Sequence, residues 1–317
     1  MIRKMLPLII ISLLVLPAGA KAASEWGQAV TVYGAGLEDN RELLDATGEI
    51  LGATEEDKVE YVRSDDVEKY LGVTYDDSIL KSSIRILQKD AGAGLDITVD
   101  ESMGQITEIT EETYKNALLT SGITDAEVVI GAAEDVTGES ALAGIYKAYE
   151  VQGEEIDPQR TQNAQDELET ISGIAEENSN SEGFSQEQLN KAITEIKIQV
   201  IEAGGNLSEG EIRSIVDEQL KANGLEDVLS QEQIDRIMVI IINIQESGLF
   251  QSEEADRLLE SSKGLIDEIT SSEGFQDAKE AAEDLGKDIQ ESGAWESFKN
   301  AVADFFKAIV DFFRSLF

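Results

Sequence analysis

At 317 residues and 34.5 kDa, with 41 % hydrophobic residues, the chain has apolar material for one large domain or two ordinary ones. Its 65 acidic residues against 25 basic ones give a net charge of −40, which a nucleic-acid duplex would repel, so no nucleic-acid partner is expected. Having no His and no Cys, it has no imidazole base, Ser-His-Asp triad, thiol nucleophile, disulfide, iron–sulfur cluster, or His- or thiolate-bound metal.

The N-terminus reads as an export signal. Met1-Ile2-Arg3-Lys4 is a short basic start, residues 6–16 are almost wholly apolar, and Ala20-Lys21-Ala22 has the small-x-small pattern of a signal-peptidase site. A membrane span needs about 20 apolar residues, and Pro7 and Pro17 break this stretch. The pattern predicts a signal peptide over 1–22, cleaved near Ala22, and a secreted, extracellular or envelope-associated protein.

Residues 28–150 alternate between a period of two and one of 3.6, the pattern of a mixed α/β domain. Val30 and Val32 alternate, residues 37–44 read helical, and Val59 and Tyr61 alternate again. Ile84 and Ile86 lie in one short run and Leu95, Ile97 and Val99 in another, with the turn-like Asp90-Ala91-Gly92-Ala93-Gly94 between, which predicts a β-hairpin. Thr110 is placed to cap a helix carrying Tyr114, Ala117 and Leu118 and ending at Gly122. A buried strand follows through Val128-Val129-Ile130, then a helix with Leu142, Ile145, Tyr146 and Tyr149 on one face.

Beyond Glu150 the alternation stops, and residues 158–290 read as an acidic helical repeat or bundle region. Asp157-Pro158 is an N-cap followed by Pro at the first helical position, with Ala164, Leu168, Ile171 and Ala175 as the apolar face. Ser185, Ser208 and Ser230 each stand three residues ahead of Gln or Glu as capping boxes, with a weaker start at Ser252. Glycine turns at Gly204-Gly205, Gly224 and Gly248 close these helices, so one helix and one turn recur four times. The helix after Ser230 contains Met238-Val239-Ile240-Ile241-Ile242, apolar on all sides, which predicts that the others pack around it. Phe275, Ala278, Ala282, Leu285 and Ile289 continue with a 3,4,3,4 spacing suited to pairing with another helix.

Residues 295–317 hold seven of the chain's eighteen aromatic residues. At about 100° per residue, Trp295, Phe298, Val302, Phe305, Phe306, Ile309, Phe312, Phe313, Leu316 and Phe317 share an arc of roughly 160°. Glu296, Asp304, Lys307, Asp311 and Arg314 take the other side, and the segment's own charge is zero, so it escapes the repulsion felt by the rest of the chain. An amphipathic helix of about 35 Å is expected, lying in a membrane interface or docking on an envelope protein, another copy or its own α/β domain.

Three stretches invite a chemical reading. Carboxylates suit hard cations such as Ca²⁺, but no Asp-x-Asp-x-Asp-Gly loop ending in Glu occurs, so no metal is assigned. Gly34-Ala35-Gly36 stands where a phosphate cradle would sit, yet Glu38-Asp39 would place negative charge there, and a tight acidic turn is expected instead. Ser78-Ile79-Leu80-Lys81 matches the Ser-x-x-Lys pair of some penicillin-recognising enzymes without their accompanying motifs. The residues therefore point to no catalytic centre and no cofactor.

The run Ile106-Thr107-Glu108-Ile109-Thr110, Tyr114, Asn116-Ala117-Leu118, Thr120, Gly122-Ile123, Asp125-Ala126, Gly138, Ala141-Leu142, Gly144-Ile145 and Lys147-Ala148-Tyr149-Glu150 resembles the core signature of the YpuA-like secreted proteins of Gram-positive bacteria. Val30, Gly34, Leu37, Tyr70-Leu71-Gly72, Ser82-Ser83 and Gly94-Leu95 resemble the family's earlier blocks, so the likeness covers most of 28–150. The chain departs where the family shows a Pro and a Ser-Gly-Thr-Ala-Ala-Leu run: here stand Ala133-Glu134 and Thr137-Gly138-Glu139-Ser140-Ala141-Leu142. The resemblance implies export and a Gram-positive source, and supplies no catalytic residue because the family is a domain of unknown function. The combined expectation is an α+β protein: a mixed α/β domain at 28–150, an all-α bundle at 158–290 and a C-terminal amphipathic helix. Its function is expected to be non-catalytic binding at the envelope, with a carboxylate-dependent cell-wall glycan hydrolase as the alternative.

Overall fold

The computed structural model describes residues 26–272 together with 275 and 276. The expected signal peptide at 1–22, residues 277–290 and the aromatic segment 295–317 lie outside the described residues. Within them the β-branched runs form strands β1 (Val30–Gly34), β2 (Lys58–Val62), β3 (Ser83–Gln88), β4 (Leu95–Asp100) and β5 (Ala126–Gly131). Helices α1 (Arg41–Ile50), α2 (Ser64–Leu71), α3 (Glu111–Thr120) and α4 (Glu139–Val151) alternate with them, and α5 (Pro158–Asn178), α6 (Gln186–Glu202), α7 (Glu209–Ala222), α8 (Gln231–Glu246) and α9 (Ala255–Ser271) follow. The fold is α+β, as the sequence predicts.

The five strands form one mixed sheet in the order β2-β1-β3-β5-β4. The predicted hairpin of β3 with β4 does not form. Instead β5 lies between them, antiparallel to β3 and parallel to β4. Residues 90–94 do turn, but Asp125, just ahead of β5, pins that turn by accepting the amides of Gly92 at 2.8 Å and Gly94 at 2.9 Å. The slot this leaves is filled by Val128 and Ile130, whose apolar side chains are buried in the sheet's core.

One sheet face carries the main core, in which Val32, Ile84, Ile86 and Ile130 pack under α2, α3 and α4. The other is covered in part by α1, where Tyr33, Leu37 and Leu51 form a small cluster. The helix expected over 37–44 begins only at Arg41, because the Asn40 side chain accepts the Leu43 amide and caps it there. Helix α3 starts at its predicted Thr110 cap and has both a sheet side and a helix side: Tyr114 and Leu118 join the sheet's core, Leu119 the core of the helical region.

The serine caps act largely as read. Ser208 with Glu211 and Ser230 with Gln233 form complete capping boxes, whereas Ser185 accepts the Gln188 amide without the reciprocal bond. Ser252 closes a 3₁₀ turn at Leu249–Gln251, and α9 begins beyond it at Ala255. The helix after Ser230, α8, is not central: it packs on α5 and α7 and leaves Val239 55 % exposed. The central helix is α6, which touches α3, α5, α7 and α9. Its polar Asn190, Thr194 and Lys197 are buried, so a stripe that looked one-sided in sequence is enclosed on its polar side too. Ala164 and Leu168 of α5 sit in the sheet's core, while Ile171 and Ile174 turn to the helical one.

Candidate binding cleft

A cleft of about 1210 Å³ opens where the C-terminal ends of α2, α3 and α4 meet the N-terminal ends of α5 and α9. Its chemistry is that of mutually satisfied charges. On one wall the Glu150 carboxylate accepts from Lys69 and from the Tyr70 hydroxyl, and these bonds hold its pKa below the ordinary carboxylate value. Burial and the same carboxylate push the Tyr70 phenol far up, so it stays protonated and donates. Beside it Tyr149 meets Trp26 edge-to-face at 4.8 Å, and burial raises its phenol likewise.

On the other wall Arg160, near the start of α5, binds Glu254 at 2.8 Å. Burial is the largest single influence on Glu254 and opposes its charge, but the hydrogen bond and charge of Arg160, with Ser252 and Arg257, together outweigh it and the pKa is lowered. The guanidinium also lies over Gly122, where a Cβ would come within 3.3 Å of Arg160 Nη1; with φ at +87° that position takes glycine on both counts. Asp125, whose Oδ1 holds the 90–94 turn, accepts the Thr124 hydroxyl at 2.8 Å through Oδ2. At the rim stands Arg257, exposed and within electrostatic reach of Glu254.

Beneath the cleft α3, α5 and α6 share a buried polar network. Lys197 Nζ donates to Glu167 at 2.7 Å, to the Asn116 carbonyl at 3.1 Å and to the Thr120 hydroxyl at 3.2 Å, with both charged side chains fully buried. Thr120 in turn donates to Glu167. Burial pulls the Lys197 pKa below its ordinary value, and Glu167 offsets part of that pull. Asn116 and Asn190 extend the network across α3 and α6.

The motifs singled out in the sequence have structural partners. The Gly36 amide donates to the Leu80 carbonyl and the Gly34 amide to Ser83 Oγ, so neither is free for a phosphate. A Cβ on Gly34 would stand 2.1 Å from Leu80 O, which explains the glycine by close chain approach. Ser78 Oγ donates to Asp76 at 2.6 Å while Lys81 pairs with Glu134, so the Ser-x-x-Lys pair is not joined. Where the chain departs from its resembled family, Ser140 Oγ lies 2.5 Å from Ser82 Oγ and the Gly138 carbonyl accepts the Tyr114 hydroxyl. Those positions anchor the start of α4. Among the described residues no three acidic side chains gather as a metal site, and no helix is long and apolar enough to cross a membrane.

The predicted contact residues Trp295, Phe298, Val302, Phe305, Phe306, Ile309, Phe312, Phe313, Leu316 and Phe317 lie outside the described residues. The cleft itself was missed by sequence reasoning, because Lys69, Tyr70, Glu150, Arg160 and Glu254 come from four separate segments. The signal available was the scarcity of cations in so acidic a chain.

Residues 33–261 match a family described as "Protein of unknown function (DUF1002)", and the chain belongs to that family. It is similar to "Uncharacterized protein YpuA" of Bacillus subtilis (strain 168), with 28 % identity over 271 residues covering 83 % of this chain and 87 % of the relative. No solved structure matches it.

Proposed function

We propose that this DUF1002 protein is an exported, non-catalytic binding protein of the cell envelope that holds a membrane interface or an envelope partner through residues 295–317. The observation that carries the reading is the charge and pattern of that segment. Its pattern puts seven aromatic residues on one side of a helical projection and its net charge is zero in a chain of −40, so it approaches a lipid surface without the repulsion that the acidic body of the chain meets. The basic start, apolar run and Ala20-Lys21-Ala22 site support export. The cleft supports binding over catalysis, since Glu150 and Glu254 are committed to Lys69, Tyr70 and Arg160 and have lowered pKa values, the opposite of a carboxylic acid poised to donate a proton.

Flotation of the purified chain with liposomes, with and without residues 295–317, tests the reading. Flotation of the intact form alone is expected; equal behaviour of the two forms ends the lipid reading, and pull-down from an envelope fraction with the same pair then tests the protein partner. Mass spectrometry of the exported protein is expected to place its first residue near Ala23. A chain still starting at Met1 overturns export by cleavage.

A further inference from the structure

Two buried side chains of the cleft keep polar atoms that the fold does not use. Tyr149, in the last turn of α4, is only 8 % exposed, and its hydroxyl has no hydrogen-bond partner among the described residues. That hydroxyl keeps contact with solvent while the ring packs against Trp26, so it faces the cleft that Tyr149 lines. Asp125, equally buried at 8 %, has no ion pair among the described residues. A carboxylate offers about four acceptor positions, and Gly92 and Gly94 use Oδ1 while Thr124 uses Oδ2 once, which leaves one position open on Oδ2.

The surroundings of these two groups are acidic. Burial first, then the charges of Asp125 and Glu154, push the Tyr149 pKa up, so the phenol stays protonated and its oxygen is an acceptor. Helix ends add to this. Both α3 and α4 terminate at the cleft with no basic residue in the last turn, whereas α2 carries Lys69 there, bound to Glu150. The negative end of a helix favours a cation, and two of these three lack one. The other cations of the lining are directed elsewhere: Lys89 to Asp96, Arg160 to Glu254, and Arg257 to the rim near Glu254.

Charge and donor count point to one chemical group. An ammonium has three N–H donors and no acceptor, which matches the Tyr149 oxygen, Asp125 Oδ2 and the Glu154 carboxylate. An anion would meet two acids there, and a neutral hydroxyl would leave their charge unmatched.

We propose that the cleft binds a primary alkylammonium group, carried by a lysine side chain or an aliphatic diamine, between Tyr149, Asp125 and Glu154. Calorimetric titration of the full chain with cadaverine and, separately, with N-acetyl-lysinamide tests this, in about 150 mM salt so that the general field of a chain of −40 is screened. Saturable one-to-one binding is expected, weakened on the order of tenfold by Tyr149→Phe and by Glu154→Gln. Glu209→Gln, which removes the same charge from the exposed first turn of α7, is expected to leave it unchanged. Binding of both probes shows that one ammonium suffices, and binding of cadaverine alone assigns a diamine; either supports the site. No saturable heat up to about 10 mM, or equal weakening by all three substitutions, overturns it. Tyr149→Phe removes no internal hydrogen bond, so its Tm is expected to match the native chain; if it falls, the contrast of Glu154→Gln with Glu209→Gln decides. None of these outcomes bears on liposome flotation, so this inference and the proposed function stand or fall separately.

Discussion

Asp57 shows how one side chain can hold two strands together. Its carboxylate accepts five hydrogen bonds: from Thr31 Oγ1, the Thr54 amide and hydroxyl, and Arg85 Nε and Nη2, the shortest at 2.7 Å. Thr31 is in β1 and Arg85 in β3, so the loop before β2 is clamped across both. Burial alone would raise the pKa, but the bonds from Arg85, Thr54 and Thr31 win and lower it from 3.8 to about 2. A depressed carboxylate pKa contributes stability in full above the unfolded value and loses it as pH falls toward the folded one. Asp57 is therefore expected to supply about 2 kcal/mol above pH ~4.5 that fades by pH ~2. Urea unfolding across that range should show the gap between the native chain and Asp57→Asn closing as pH falls; a constant gap would show that the clamp is not ionic.

At the scale of elements, α6 is specified by what it hides. Lys197 and Glu167 have no solvent, so α6 and α5 can seat on α3 only with both charges matched and with Asn116 and Thr120 in place. Removing one partner leaves a bare buried charge: Lys197→Met is expected to cost about 3–5 kcal/mol, and Lys197→Met with Glu167→Leu distinctly less. Urea midpoints of the two variants give the order, and a double variant as weak as the single would refute it. The same contrast explains what was legible in the sequence. Ser208, Ser230, Asp157 and Thr110 were readable as caps because capping chemistry is local to three or four residues. The centrality of α6 was not, because Asn190, Thr194 and Lys197 look like a solvated face until α3 is brought over them. The cleft was hidden for a similar reason, since Glu150 and Arg160 acquire their partners from α2 and from the residue before α9.

For the whole molecule, the decisive feature is that the two halves share elements. Ala164 and Leu168 of α5 complete the sheet's core and Leu119 of α3 the helical core, while Ser261 of α9 donates to the Thr124 carbonyl. The joint at 152–157 is exposed in part, with Gly153 at a positive φ and Glu155 on the surface. Limited proteolysis is expected to cut there, and the two fragments to elute together from a sizing column until denaturant is added. Fragments that separate in native buffer would show that the shared packing is too weak to hold them.

The placement of β5 also sets the order of assembly. Ser83 of β3 pairs with Gly131 and Leu95 of β4 with Ala126, so neither strand has its inner neighbour until residue 131 has been made. A nascent chain short of that point holds a sheet fragment of β1, β2 and β3 with one edge of β3 unpaired and β4 adrift beside it. Such long-range closure is slow, and an open apolar edge at Ile84 and Ile86 is a site for pairing with other chains. Strand β5, set between β3 and β4, acts as a keystone that arrives late and closes both edges at once.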